Sequence, residues 1–289
     1  MHRLLLHNDD IRDSGDRVVS PGQVGFVNGW GIFSTIRVRD GVLFAWERHW
    51  ARMKRDAARM RVPFPEDAKW LEERLYRLID ANRAMNSTLR VVIVRNRGGL
   101  FEGPVERAFE TVAFTAPLNN WGDAVKLGVV AQGRHAASEF AGTKYISWSE
   151  NLARYERAHD EGFDEVVLLN ERDEVAECTS ANIFIAQGER VFTPPLSSGC
   201  LPGVTRALLL EEIHVPGITV AEKVLVAADL ESADEVFITS TTRELMPVAS
   251  VKGLQIREGR EVQDRLQRAF SAYAAAYVSA RARETEKVL

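Results

Sequence analysis

The first forty residues read as short apolar runs separated by polar and glycine-rich turns. Residues 4–19 read as a strand and a polar turn. Gly25–Arg39, GFVNGWGIFSTIRVR, sets three glycines among aromatics, which predicts a bend where the backbone runs close to another surface. Phe33, Ile36 and Val38 continue as a strand, and Asp40-Gly41 is a hairpin signal into Val42-Leu43-Phe44. The period then changes to that of a helix. From about Glu47 to Met60, residues His49, Met53, Ala57 and Met60 share a face, and from about Glu66 to Met85 the inward set is Leu71, Leu75, Leu78 and Ile79. Leu89–Val94 reads as a buried strand, Arg95–Gly99 as a polar loop and Thr111–Phe114 as a further strand.

Pro117–Asp123 has linker chemistry and predicts a boundary, with domains over 1–117 and 125–289 joined by 118–124. Beyond it, Leu127–Ala131 is a strand. Lys144 precedes an amphipathic helix on which Leu152, Tyr155 and His159 recur at helical spacing. Glu165–Leu169 is a short apolar strand, Asn170–Asp173 a turn, and Val175–Ile185 a run that puts Glu177 and several small hydroxyl and amide groups at a strand end. Val191–Pro195 follows, then a glycine-rich turn over Gly199–Gly203 and a helix from about Val204. Glu235–Thr239 is a strand ending in Ser240-Thr241-Thr242. A terminal helix, about Val262 to Arg283, carries Leu266, Phe270, Tyr273 and Tyr277 as a core stripe.

The chain has 289 residues, 45% of them hydrophobic, enough for a sizeable core in one large or two smaller domains. Its net charge is -4, from 37 basic and 41 acidic residues with no segregated basic block, which argues against a nucleic-acid surface. The N-terminal apolar run is three leucines, too short for a signal-peptide core, and no stretch approaches the length of a membrane span. Cys178 and Cys200 have no metal or redox spacing, so the expectation is a reduced, cytoplasmic protein with no metal.

Taken alone, a lysine before a helix is ordinarily solvated and a glutamate at a strand end ordinarily exposed. Their order and spacing carry more. Lys144, then Asp164-Glu165-Val166-Val167-Leu168, then Glu177-Cys178-Thr179-Ser180-Ala181-Asn182-Ile183-Phe184 resembles the class IV aminotransferases, the fold type IV pyridoxal-phosphate enzymes. That family includes branched-chain and D-amino acid aminotransferases and aminodeoxychorismate lyases. The resemblance extends from about Gly25 to the terminal helix. It includes Gly29-Trp30-Gly31-Ile32-Phe33-Ser34-Thr35-Ile36-Arg37, the pair His49 and Arg52, the turn Gly199–Arg206, and EVFITSTTRELMPV from Glu235 to Val248.

The resemblance implies an α/β (α+β) fold of two domains, the second a pseudo-barrel, with the cofactor pyridoxal 5'-phosphate at the domain interface. It implies that Lys144 makes the covalent link and carries the proton. It assigns cofactor contacts to Arg52, Glu177, Ser180, Ala181, Asn182, Val204, Thr205, Ser240 and Thr241. Substrate contacts fall to Phe33, Arg95, Arg97, Trp148 and Thr242, with the Arg95–Gly99 loop the candidate for what the family borrows from a partner in a homodimer. The chemistry suits the residue types. A lysine amine forms a Schiff base with an aldehyde, and a carboxylate on the pyridine nitrogen keeps that ring an electron sink. An arginine fork grips phosphate in bidentate fashion. Arg48, Arg55 and Arg59 share the helix, and only the register with His49 singles out Arg52.

Within the family the expected reaction is transamination between an amino acid, branched-chain-like, and a 2-oxo acid. The alternative is aminodeoxychorismate lyase, releasing pyruvate and forming 4-aminobenzoate. Phe33-Ser34-Thr35 and the Arg95–Gly99 loop lean to the lyase, whereas Gly199–Arg206 and Ser240–Val248 lean to the aminotransferases, and the Arg-x-His trap of many D-amino acid enzymes is lacking. A non-catalytic small-molecule binder of similar shape is the reading from another class.

Overall fold

The computed structural model describes residues 1–100 and 102–286. Two compact units emerge. The first comprises, among the described residues, 1–119, 143–148 and 277–286; the second comprises 120–142 and 149–276.

In the first unit, Leu4–His7 (β1) and Asp10–Asp13 (β2) form a hairpin, so the 4–19 stretch holds two strands where one was expected. Val24–Asn28 is a short helix (α1), where the glycine pattern suggested only a bend. Gly31–Arg39 (β3), Val42–Leu43 (β4), Ser87–Arg95 (β5) and Phe109–Ala116 (β6) complete a six-stranded antiparallel sheet in the order β2-β1-β6-β5-β3-β4. Side chains alternate across the pleat. Ile32, Ile36 and Val38 of β3 and Leu89, Val91 and Ile93 of β5 join one core. Helices Trp46–Arg59 (α2) and Ala68–Asn82 (α3) contribute Met53 and Ala57, and Leu71, Leu75, Leu78 and Ile79, to that core. Each large apolar side chain so buried contributes about 1.5–3 kcal/mol. The opposite face of the sheet carries Phe33, Thr35 and Arg37, with Thr35 paired to Arg90 and Phe33 to Val92. The close approach expected at the glycines is present. A Cβ on Gly31 would lie 2.6 Å from the Ile93 carbonyl oxygen.

The second unit holds an eight-stranded mixed sheet. Its strands are Val125–Val130 (β7), Glu165–Leu169 (β8), Val175–Cys178 (β9), Asn182–Gln187 (β10), Arg190–Thr193 (β11), Thr219–Glu222 (β12), Glu235–Ser240 (β13) and Glu244–Val251 (β14), in the order β12-β11-β10-β13-β14-β7-β8-β9. β7 pairs in parallel with both β14 and β8, which explains why β8 is apolar without alternation. The Val175–Ile185 run is two strands broken at Thr179–Ala181, and that break is what frees the small polar residues for other contacts. β12 and the short helix Ala227–Ser232 (α6) have no counterpart in the sequence reading.

Helix Ser149–Asp160 (α4) corrects the stripe read from sequence. Leu152 and His159 are exposed, and the buried residues are Asn151 and Ala158. Asn151 turns inward because its amide reaches the Thr179 carbonyl. Helix Val204–Glu211 (α5) starts where expected. The terminal helix Glu261–Glu286 (α7) buries Leu266 and Phe270, while Tyr273 and Tyr277 are half-buried. Among the described residues no helix is long and apolar enough to cross a membrane.

Candidate functional site

In the first unit, β4 pairs only with Val38 and Arg39, which leaves the start of β3 with an open edge. The Thr143–Trp148 segment fills it. Phe33 N–H donates to the Lys144 carbonyl (3.1 Å), Ile146 N–H donates to the Gly31 carbonyl (3.0 Å), and Ile32 faces Tyr145 in an antiparallel bridge. The Lys144 ammonium stands 4.6 Å from the Phe33 ring centre. Trp148 packs edge-on to the same ring at 6.3 Å. Lys144, Phe33 and Trp148 are thus brought together.

α2 supplies the second group. Among the residues it buries are His49, Arg52 and Asp56, three polar groups on a face that otherwise faces the core. Arg52, 7% exposed, donates from Nη2 to Ser34 Oγ (2.9 Å). Ser34 Oγ in turn lies 2.8 Å from His49 Nδ1. Burial first, then the charges of Arg52 and Lys144, hold the imidazole pKa well below its usual value. His49 is therefore neutral. With Arg52 already donating to Ser34, the hydroxyl proton goes to Nδ1 and the ring proton to Nε2, an assignment made from the network. Burial also lowers the Arg52 guanidinium to about 10, with Asp56 pulling the other way. His49 Nε2 and Arg52 Nε find no hydrogen-bond partner among the described residues. Buried donors without acceptors, on a cation without an ion pair, are the chemistry of an anion site. The phosphate of the expected cofactor fits it.

Arg95 and Arg97 both donate to backbone carbonyls. Arg95 stacks on Trp30 and donates to the carbonyls of Arg61 and Arg97, and Arg97 donates to the Val105 and Glu106 carbonyls. Arg90, absent from the sequence reading, has the geometry those two lack. Its guanidinium lies 4.3 Å over the Phe33 ring, and burial alone lowers its pKa. The legible signal was parity. In the pairing of β3 with β5, Arg90 shares the face of Phe33.

The second unit assembles the remaining candidates through hydrogen bonds. Glu177, at the end of β9, receives Arg134 Nε on one oxygen (2.7 Å) and the Leu201 N–H on the other (3.0 Å). Each oxygen keeps a lone pair for a further donor such as a ring N–H. Asn182 donates to the Leu201 carbonyl (2.8 Å). A Cβ on Gly203 would land on the Asn182 side-chain oxygen, so glycine there leaves Asn182 in place. This fixes the turn into α5, whose first amides, at Val204 and Thr205, have no side-chain cap. Such amides are ready donors to phosphate.

Ser180 has a different employment. Its hydroxyl donates to Glu165 and accepts from Arg243 Nη1 (2.7 Å), so a contact with a ligand would have to use its backbone. Ala181 gives its carbonyl to Cys178 N–H (2.7 Å). Ser240 Oγ accepts from Arg243 N–H (3.1 Å), and Thr241 and Thr242 sit half-buried in the turn between β13 and β14. Arg134, a partner of Glu177, was not legible, since it lies in an irregular stretch after β7. Among the described residues no cluster could hold a metal ion.

The family model "Amino-transferase class IV" matches residues 31–251. The chain is 30% identical over 262 residues to the branched-chain-amino-acid aminotransferase of Escherichia coli (strain K12), covering 84% of this chain and 83% of that one. It is 26% identical to a D-alanine aminotransferase of Bacillus licheniformis, covering 88% and 90%. A crystal structure of the Escherichia coli branched-chain amino acid aminotransferase superposes with a TM-score of 0.86 at 25% identity, over 95% of both chains. The chain belongs to the class IV aminotransferase family and is a pyridoxal-phosphate-dependent aminotransferase.

Proposed function

We propose that this aminotransferase moves the amino group of a small apolar amino acid, branched-chain-like, to a 2-oxo acid, with Lys144 as its covalent anchor and proton carrier. When bound, the cofactor supplies an aldehyde for the amine and a ring that takes up electron density. Lys144 would hold the cofactor and supply an amine able to take and give back a proton. Arg52 would hold the phosphate in the first unit, and in the second the amides of Val204 and Thr205 are donors of the kind a phosphate takes. His49 Nε2 lies on the same helix face as Arg52. Glu177, steadied by Arg134, accepts the ring N–H. Phe33 and Trp148 give the substrate an apolar wall, and Arg90 offers it a cation on the face of Phe33.

The observation that carries this reading is the buried Arg52, whose Nε finds no partner among the described residues, on the helix whose Asp56 also holds the Lys144 amide (3.1 Å). A homodimer in the cytoplasm completes the proposal, and two free, buried cysteines fit a reducing compartment. Phe33-Ser34-Thr35 favours a second reading, aminodeoxychorismate lyase. The visible spectrum separates the two. Bleaching by a branched-chain amino acid, reversed by a 2-oxo acid, is the expected result. A band that survives amino acids while aminodeoxychorismate yields pyruvate would establish the lyase. Lys144→Ala should abolish turnover, and wild-type activity in that variant would sink the mechanism.

A further inference from the structure

Asp56 lies one helical turn beyond Arg52 on the inward face of α2 and is 1% exposed. A carboxylate buried to this degree needs partners for both oxygens. Oδ1 accepts from Arg55 Nε (2.9 Å) and Nη2. The Arg55 side chain is 39% exposed, and a pair with it alone would sit as well at the surface. Oδ2 reaches inward and accepts the backbone N–H of Lys144 (3.1 Å).

The direction of that N–H is informative. The Thr143–Trp148 segment pairs antiparallel with β3, and Phe33 N–H already donates to the Lys144 carbonyl. In a continued ladder the two residues would exchange both bonds, and Lys144 N–H would return to the Phe33 carbonyl. It goes to Asp56 instead. The chain thus leaves the sheet edge at Lys144, and a side chain on another element sets the angle at which it leaves.

We propose that Asp56 is a positioning residue: it draws the Lys144 amide out of the β-ladder and fixes that backbone against the helix bearing Arg52. One helix face then sets both the phosphate grip and the placement of the lysine. The proposal rests on the reading that Lys144 forms the covalent link to pyridoxal 5'-phosphate.

The test uses protein stripped of cofactor and reconstituted with pyridoxal 5'-phosphate. Borohydride trapping reports the rate of link formation, peptide mapping locates it, and hydrogen exchange reads the Lys144 amide. Misplacement by about 1 Å costs on the order of 100-fold in rate. Asp56→Ala should slow trapping at Lys144 by roughly 10- to 100-fold and raise exchange at its amide. Asp56→Asn keeps an acceptor oxygen and should recover part of both, which also covers the case in which the alanine variant does not fold. Arg55→Lys, which keeps a donor for Oδ1, should trap at close to the wild-type rate. Unchanged trapping and exchange in Asp56→Ala, or an Arg55→Lys variant as slow as Asp56→Ala, would overturn the positioning role. Wild-type protein that traps at another lysine would instead overturn the cofactor reading and, with it, the role of Asp56.

Discussion

Arg243→Met offers a sharp test of the second unit. Glu165 is fully buried and fully engaged. Oε1 accepts from the Thr179 hydroxyl and from Val166 N–H (3.0 Å), while Oε2 accepts from the Ser180 hydroxyl and faces Arg243 Nη1 at 3.3 Å. The Arg243 side chain is itself only 3% exposed and stacks on Trp121 at 3.9 Å. Methionine keeps much of the volume and the ring contact but removes the charge. Breaking a buried pair from one side costs about 3–5 kcal/mol, because the remaining charge stays desolvated. For a cooperative unit of this size each kcal/mol moves the midpoint by roughly 2–4 °C, so a fall of about 6–20 °C is expected. Urea unfolding followed by far-UV circular dichroism measures the free energy directly. In Glu165→Gln/Arg243→Met both charges are gone, and the amide can still serve Thr179 and Ser180. The double variant should therefore cost at least about 2 kcal/mol less than the sum of the single variants, well outside the roughly 0.3–0.5 kcal/mol scatter of independent sites. Additive losses, or a single-variant loss under about 1 kcal/mol, would refute the coupled pair.

Two further outcomes follow from the first unit. Folded His49 resists protonation, whereas the unfolded ring titrates near pH 6.5, so below that pH the unfolded chain takes up a proton the native state does not. Stability should fall with acidification by up to about 1.4 kcal/mol per pH unit, and His49→Gln should remove that part of the slope; an identical acid limb in the variant would contradict the neutral assignment. For Arg90→Gln, kcat/KM for the amino acid should drop roughly 10- to 100-fold with the cofactor absorbance unchanged, and unaltered kinetics would remove Arg90 from the substrate site.

The elements were legible where one residue type dictated the outcome. Apolar spacing located α2 and α3, and Asp40-Gly41 marked the hairpin from β3 to β4. The misses share a physical reason, which is that a side chain's use depends on what another element brings to it. The Leu152 stripe failed because Asn151 had a carbonyl to satisfy and Leu152 had nothing to cover. The Ser180 hydroxyl bonds to Glu165 and Arg243, neither of which is near it in sequence. The bonds of Arg95 to the Arg61 and Arg97 carbonyls, and of Arg97 to the Val105 carbonyl, likewise join residues that no spacing connects. Arg90 was hidden inside an apolar strand, where only pairing with β3 reveals which face it shares.

Burial without compensation is what sorts functional from architectural polar groups in this chain. Arg243 and Arg52 are both buried arginines, each with an Nε that finds no acceptor among the described residues. Arg243 nevertheless has its charge met by Glu165 and its face covered by Trp121, so its environment is complete without a ligand. Arg52 has a serine hydroxyl, a neutral histidine and a carboxylate already shared between Arg55 and the Lys144 amide. Burying a guanidinium in that state costs several kcal/mol, which Asp56 offsets only in part. A dianion would return it, and the same α2 face that would receive the dianion holds the backbone of the lysine. The helix thus pairs a local cost with a donor arrangement that suits a phosphate.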